Sequence, residues 1–216
     1  MSILAVTRQG LRVLTVCVGL LVPIPGSASP DDDYQQGSRS YAQGDVMTAM
    51  TRLKSAADAG HAAAQALYAQ ILDRADSDDE AVSYYRKSAE QGDADGQFGY
   101  GSMLASGEGI KRNPEEGRQW ITRAADQGHR LAINELALAY LTGQLAIAAD
   151  ARGGGEALRR IRLAADNDFV PAMDALAEAY RAGGYGLSAD LKLADEWSTR
   201  ARKARGLLGK RKGGKK

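Results

Sequence analysis

The sequence predicts an all-α protein: a right-handed α-solenoid of stacked helix-turn-helix units, with about ten helices and no sheet. Two observations lead to this fold class. One short phrase recurs four times along the chain, and the residues around each copy repeat at steps of three, four and seven, which are typical of an amphipathic helix and not of a strand. Because one helix pair cannot bury its own apolar face, we expect the pairs to stack on their neighbours.

The recurring phrase marks the boundary between units. It reads "SAADAGH" at 55–61, "SAEQGD" at 88–93, "RAADQGH" at 123–129 and "LAADNDF" at 163–169. Each copy contains one residue that we call the marker: Gly60, Gly92, Gly128 and Asp168. The markers stand 32, 36 and 40 residues apart, so the units differ in the length of a turn.

A ladder of apolar and small residues precedes each marker and defines helix B of the unit. The residues 11 and 7 places before the marker are Ala49, Ala81, Gly117 and Ala157, and then Leu53, Tyr85, Ile121 and Ile161. These spacings place both sets on one helix face.

A second ladder follows each marker and defines helix A. Its members stand 4, 8, 9 and 12 places after the marker. The small residues at positions four and nine let neighbouring helices approach closely. In order of position, the members are Ala64, Gly96, Ala132 and Ala172; Tyr68, Tyr100, Leu136 and Leu176; Ala69, Gly101, Ala137 and Ala177; and Leu72, Leu104, Tyr140 and Tyr180. Glycine-containing turns at 106–109, 142–144 and 182–186 then end helix A.

These residues resemble the Sel-one-like repeat, a relative of the tetratricopeptide repeat. The best copy has its pattern at Gly107, Gly109, Ile110, Asn113, Gly117, Trp120, Ala124, Ala125 and Gly128. The last copy has it at Gly186, Leu187, Asp190, Ala194, Trp197 and Ala201. The resemblance spans residues 34–204 and departs in the third full unit, where Leu145 replaces a turn glycine and Arg160 the tryptophan. Tyr34, Tyr41 and Gly44 resemble an abbreviated helix A before the first full unit.

The N-terminus, residues 1–28, has the layout of a secretory signal peptide. "MSILAVTRQGLR" is basic without an acid, "VLTVCVGLLVPI" is apolar, and small residues precede a cleavage point after Ala28. The alternative is a retained anchor, but the apolar run from Val13 to Val22 falls short of the roughly 20 residues that a membrane span needs. We therefore expect an exported protein, periplasmic or secreted, with the solenoid at 29–204.

Charge divides the rest of the chain. Residues 29–199 hold 17 basic and 27 acidic side chains, whereas 200–216 hold nine basic ones and no acid. Residues 205–216 have too little apolar surface to pack, so they are expected to form a disordered basic tail. Its candidate residues for an anionic partner are Lys210, Arg211, Lys212, Lys215 and Lys216.

The sequence predicts no catalytic residue, no metal site and no cofactor. The single cysteine, Cys17, lies in the expected signal peptide, so thiol chemistry is excluded from the remainder. The two histidines, His61 and His129, both directly follow a marker glycine, and this periodic placement indicates a structural role. The acidic run at 76–80 lacks the ligand spacing of a calcium loop, and no small-molecule substrate or nucleic acid is favoured.

Three functions remain open at this stage. The resemblance implies an interaction scaffold or adaptor of a bacterial envelope complex, whose partner is another envelope protein. A second function is binding of an anionic polymer or membrane surface through the basic tail. The least favoured is an enzyme, since the relatives described as β-lactam hydrolases are cysteine-rich and this chain is not.

A concave groove lined by helix A is the expected site of a protein partner. Its side chains should stand 6, 10 and 13 places after the marker, because the ladder positions are used in packing. These residues are Phe98, Asn134, Asp174, Gln70, Ser102, Leu138, Glu178, Leu141 and Arg181. Phe98 and Leu138 are apolar and could anchor a peptide; alternatively, Phe98 packs into the next repeat.

Overall fold

The computed structural model describes residues 29–211, with side chains as far as Gly206, and this part of the chain is all-helical. Ten α-helices follow one another: α1 Pro30–Ala42, α2 Val46–Asp58, α3 Ala62–Asp73, α4 Asp78–Glu90, α5 Ala94–Ser106, α6 Pro114–Asp126, α7 Arg130–Thr142, α8 Gly155–Asp166, α9 Val170–Ala182 and α10 Leu191–Arg211. Each helix packs on the next, and α1, α3 and α5 also contact one another in sequence, as α7 and α9 do. The predicted α-solenoid is confirmed.

The markers turn the chain between helix B and the following helix A. Gly60, Gly92 and Gly128 have φ values of 93°, 90° and 87°, and Asp168 has 61°. This left-handed conformation lets the next backbone N–H reach back to a carbonyl of helix B, as in the 3.0 Å bond from His129 to Ala124. Glycine suits the position because it lacks a Cβ, and a short polar residue such as aspartate tolerates it.

Both ladders form the core. The residues predicted to pack are buried in every unit, except that Tyr140 and Tyr180 are half-buried. The backbones of α5 and α6 approach closely, and a Cβ on Gly101 would lie 2.8 Å from the carbonyl oxygen of Gly117. Small residues at these places are therefore required by backbone contact and not by the turn.

Helix B of the third unit forms despite its departures from the repeat pattern. Leu145, in place of a turn glycine, keeps a left-handed φ of 51° and is buried. Arg160, in place of tryptophan, is also buried, and its guanidinium lies 2.7 Å from carboxylate oxygens of both Asp126 and Glu156. A charged side chain thus fills the tryptophan's place because it is paired on two sides.

Two features differ from the sequence prediction. First, α1 is a complete helix of 13 residues and not an abbreviated one. Its capping box, in which the N–H of Asp32 donates to the Ser29 hydroxyl at 3.1 Å, starts the helix before Tyr34. Gly37 of α1 is buried against Leu53, in keeping with the small residues of the other A helices.

Second, α10 has 21 residues and extends into the segment 205–216, for which the sequence predicts disorder. Arg205 forms an ion pair with Asp174 of α9, which ties the first residue of that segment to the solenoid. Residues 205–211 are helical, while 212–216 lie outside the described residues.

The predicted signal peptide, residues 1–28, also lies outside the described residues. Within residues 29–211, none of the helices combines the length and apolar composition that a membrane crossing requires.

Candidate partner-binding groove

A groove of about 440 Å³ lies on the face formed by the A helices. It is lined by α1, α3, α4, α5, the turn after α5 and the start of α7. Three of the predicted partner-binding residues line it together: Gln70, Phe98 and Ser102. Their helices present them to the same hollow because positions six and ten after the marker lie on one helix face, away from the packing ladder.

The other six predicted residues do not line this groove. They lie farther along the solenoid on α7 and α9: Asn134, Leu138, Leu141, Asp174, Glu178 and Arg181. Several are engaged within the chain. Asp174 pairs with Arg205, Arg181 lies 2.8 Å from Glu178, and Leu141 packs against the C-terminal core.

Phe98 both packs on the next unit and faces the groove. Its ring centroid lies 4.7 Å from that of His129, and both rings line the hollow. Phe98 is half-buried, so the alternative in which it packs into the next repeat holds in part. The packing fixes the ring in one orientation while leaving an apolar surface open to a ligand.

The two histidines cap helices, as their periodic placement indicates. The Nδ1 atoms of His61 and His129 each accept the backbone N–H three residues on, at 3.1 Å. Their Nε2 atoms lie 3.2 Å and 3.0 Å from carboxylate oxygens of Asp31 and Asp95. One ring nitrogen therefore caps the histidine's own helix and the other contacts the preceding A helix, while Tyr34 stacks on His61 as Phe98 packs on His129.

The groove also carries three polar groups that the sequence did not predict as site residues: Asp73, Tyr85 and Glu108. Burial raises the pKa of Asp73, and the nearby charges of Glu108 and Asp78 raise it further. Burial also raises the pKa of Tyr85, with the charge of Asp73 as the next cause. Tyr85 was recognisable only as a core residue, and it reaches the groove because Gly99 leaves space for its ring.

No cluster of three or more histidine, cysteine, aspartate or glutamate side chains in the described part of the chain is arranged to hold a metal ion. The acidic run at 76–80 surrounds an open surface hollow together with Gly109. It belongs to the turn between α3 and α4 and to the first turn of α4, where acids stabilise the helix dipole.

A stack of two-helix units with an open groove on its A face defines a helical-repeat protein of the interaction-scaffold class. The chain belongs to the Sel1 repeat family, whose model matches residues 62–93, 94–129, 130–152 and 170–204, more than half of the sequence. Proteins with this repeat typically mediate protein–protein interactions and are generally non-enzymatic.

Two solved structures share the fold. One is c5321, a protective antigen of uropathogenic Escherichia coli described as displaying an SLR fold; the TM-score is 0.70 and the identity 23%. The alignment covers 81% of this chain and 38% of the antigen, so this chain spans well under half of its length. The other is a Sel1 repeat protein from Oxalobacter formigenes, with a TM-score of 0.65, 25% identity and coverage of 81% and 71%.

Proposed function

We propose that the protein is an exported, non-enzymatic adaptor that binds another protein of the bacterial envelope through the groove on its A face. The observation that carries this proposal is the groove itself, in which the half-buried Phe98 ring lies beside Gln70 and Ser102. Neither polar side chain makes a hydrogen bond to another described residue, so both are free to bind a partner. An apolar anchor with a polar rim is the usual make-up of a peptide-binding groove.

The chemistry of the described residues supports a non-enzymatic role. Each histidine, the usual general base, has one nitrogen in a helix cap and the other beside a carboxylate. A catalytic base needs a free nitrogen within reach of a nucleophile or substrate.

The position of α1 supports export. The helix begins at Pro30, directly after its capping residue Ser29. Cleavage after Ala28 would therefore leave the capping box intact as the mature N-terminus. N-terminal sequencing of protein from the periplasmic fraction or the medium should begin near Ser29, and recovery of intact Met1 in the membrane fraction would favour a retained anchor.

Affinity capture from envelope extracts tests the groove. Ser102→Arg places a long charged side chain in the hollow, and we expect it to reduce recovery of the partner at least tenfold. Ser188→Arg is the matched control, because it makes the same change at an exposed position in the turn before α10, outside the groove. Circular dichroism should show equal helicity for both variants.

Equal capture by the two variants would contradict the groove as the binding site. A third sample that ends at Gly206 lacks most of the basic tail. If this sample alone loses the partner, the tail is the binding element, as the alternative from the sequence predicts.

A further inference from the structure

We infer that the groove recognises a peptide segment in which a lysine or arginine stands close to an apolar residue. The cation would lie among Asp73, Glu108 and the Tyr85 hydroxyl, and the apolar residue against Phe98. This inference rests on the proposed function and specifies the chemistry of its partner.

Asp73 and Glu108 line the groove without an ion-pair partner among the described residues. Glu108 accepts only from the Ser106 hydroxyl, at 3.1 Å. Arg74 also lines the groove, but its guanidinium donates to the Tyr41 hydroxyl at 2.6 Å. Burial raises the pKa of Asp73 and the charge of Arg74 lowers it in part, but two carboxylates face this one guanidinium, so a net negative charge remains that a positively charged group would complement.

Tyr85 provides an independent indication of a ligand. Its side chain lines the groove although only 6% of the residue is exposed, and its hydroxyl makes no hydrogen bond to any described residue. Besides burial, the charge of Asp73 contributes to the raised pKa of this hydroxyl, and both side chains line the groove. The hydroxyl oxygen is not fully enclosed but opens to the groove, where it can accept from an ammonium or guanidinium N–H.

The neighbouring part of the groove is apolar. Phe98, Leu67 and Leu131 line it, and Leu131 is 53% exposed. Leu67 and Asp73 are six residues apart on α3, which corresponds to about 9 Å along the helix axis at 1.5 Å per residue. An extended peptide covers this distance in about three residues, so the cation and the apolar residue should be two or three positions apart.

Charge over the whole solenoid favours the same class of ligand. Residues 29–199 carry 27 acidic and 17 basic side chains, so a cationic segment is attracted and an anionic one repelled. Asp73 is also the last residue of α3, where a negative charge is unfavourable to the helix dipole. A carboxylate that costs stability in the free protein and faces the groove is well explained by a cationic ligand.

The test is selection from a phage-displayed random peptide library against residues 29–216, followed by titration of enriched synthetic peptides by fluorescence anisotropy. We expect peptides with lysine or arginine two or three positions from leucine, phenylalanine or tryptophan. Asp73→Asn combined with Glu108→Gln should raise the Kd at least tenfold and weaken its dependence on salt. Tyr85→Phe, which keeps the ring, should raise the Kd about threefold to tenfold.

Asp195→Asn combined with Glu196→Gln is the matched control, because it removes the same charge from exposed positions on α10. Its Kd should stay within twofold of the unchanged protein. The double variant Asp73→Lys with Glu108→Lys should instead select peptides rich in aspartate and glutamate. Free lysine amide serves as the small-molecule probe and should compete only at concentrations far above those of the peptides.

Enrichment of peptides without a cation, no enrichment, or an unchanged Kd after removal of Asp73 and Glu108 charge would overturn the inference. So would lysine amide competing as well as the peptides, since the ligand would then be a small amine. If Ser102→Arg abolishes partner capture while the charge removal does not, the groove binds a partner of other chemistry. If neither variant affects capture, the proposed function fails as well.

Discussion

The ring of Phe98 on α5 lies 4.7 Å from the ring of His129, the residue that caps α7. The same relationship joins Tyr34 on α1 to His61 at the start of α3, at 4.5 Å. In both pairs an aspartate three residues before the aromatic residue contacts the histidine Nε2 atom. One three-residue arrangement therefore holds successive A helices together at two places along the groove face.

The cap at His129 should be worth more than its ring contact. His129→Ala removes the side-chain acceptor for the Ala132 N–H, and we expect it to lower the free energy of unfolding by about 1–2 kcal/mol. His129→Asn keeps a good capping group while removing the contact with Asp95, so its cost should be smaller. Urea unfolding followed by circular dichroism measures both, and equal losses would contradict a capping role.

Backbone contact between α5 and α6 should make Gly101 intolerant of any side chain. Gly101→Ala gains roughly 1 kcal/mol of helix propensity, but the new Cβ would lie 2.8 Å from both the Gly117 oxygen and an Ile121 carbon. We expect a net loss of about 1–3 kcal/mol in the free energy of unfolding.

Gly206→Ala is the matched control for Gly101→Ala. Gly206 is also helical, and no atom lies within 4 Å of a Cβ built there. This change should be neutral or stabilise by up to about 1 kcal/mol. A similar response at the two glycines would show that the α5–α6 contact does not limit residue 101.

Because Leu145 has a left-handed backbone, a glycine variant at this position should be more stable than an alanine variant, which is the reverse of the usual order. Both Leu145→Gly and Leu145→Ala lose the packing of a buried side chain, which costs about 2–5 kcal/mol. Glycine also relieves the strain of a φ of 51°, so the glycine variant should be more stable than the alanine variant by about 1 kcal/mol. Thermal unfolding of the two proteins under one buffer condition decides this.

Asp33 should stabilise the fold at neutral pH and lose that effect in acid. The Ser55 hydroxyl donates to its carboxylate at 2.7 Å and Arg52 at 2.8 Å, and these contacts lower the pKa of Asp33 from its ordinary 3.8. A carboxyl whose pKa is lower in the folded state contributes stability above its unfolded pKa and loses it as the pH falls through the folded one. Asp33→Asn should therefore destabilise at pH 7, with a difference that starts to shrink near pH 4 and vanishes below the folded pKa.

Glu135 should show the opposite dependence, because burial raises its pKa from 4.5 and no described residue pairs with it. Its charge costs stability above the unfolded pKa and costs nothing below it. Glu135→Gln should stabilise the protein at pH 7 and have little effect at pH 3. The test is the free energy of unfolding of Asp33→Asn, Glu135→Gln and the unchanged protein, measured from pH 3 to 7. A difference from the unchanged protein that does not vary with pH would contradict the assignment for that carboxyl.

Part of the groove could be predicted from the sequence. Counting from the markers identified Gln70, Phe98 and Ser102, because a helix fixes which positions share a face. The same count gave six residues outside the groove, since it treats all units as equivalent. The units are not equivalent in the structure. For example, α10 packs on α9, and its Arg205 forms an ion pair with Asp174.

The helices, the turns at the markers and the packing ladder could be predicted from the residue pattern alone. These features depend on interactions within about a dozen residues: helical periodicity, capping, and the left-handed conformation that glycine adopts readily. The packing of the units brings Asp73, Tyr85 and Glu108, from α3, α4 and the turn after α5, into the lining of one groove. Their meeting depends on how far each unit rotates on the last, and that rotation is set by side-chain packing and turn length across units.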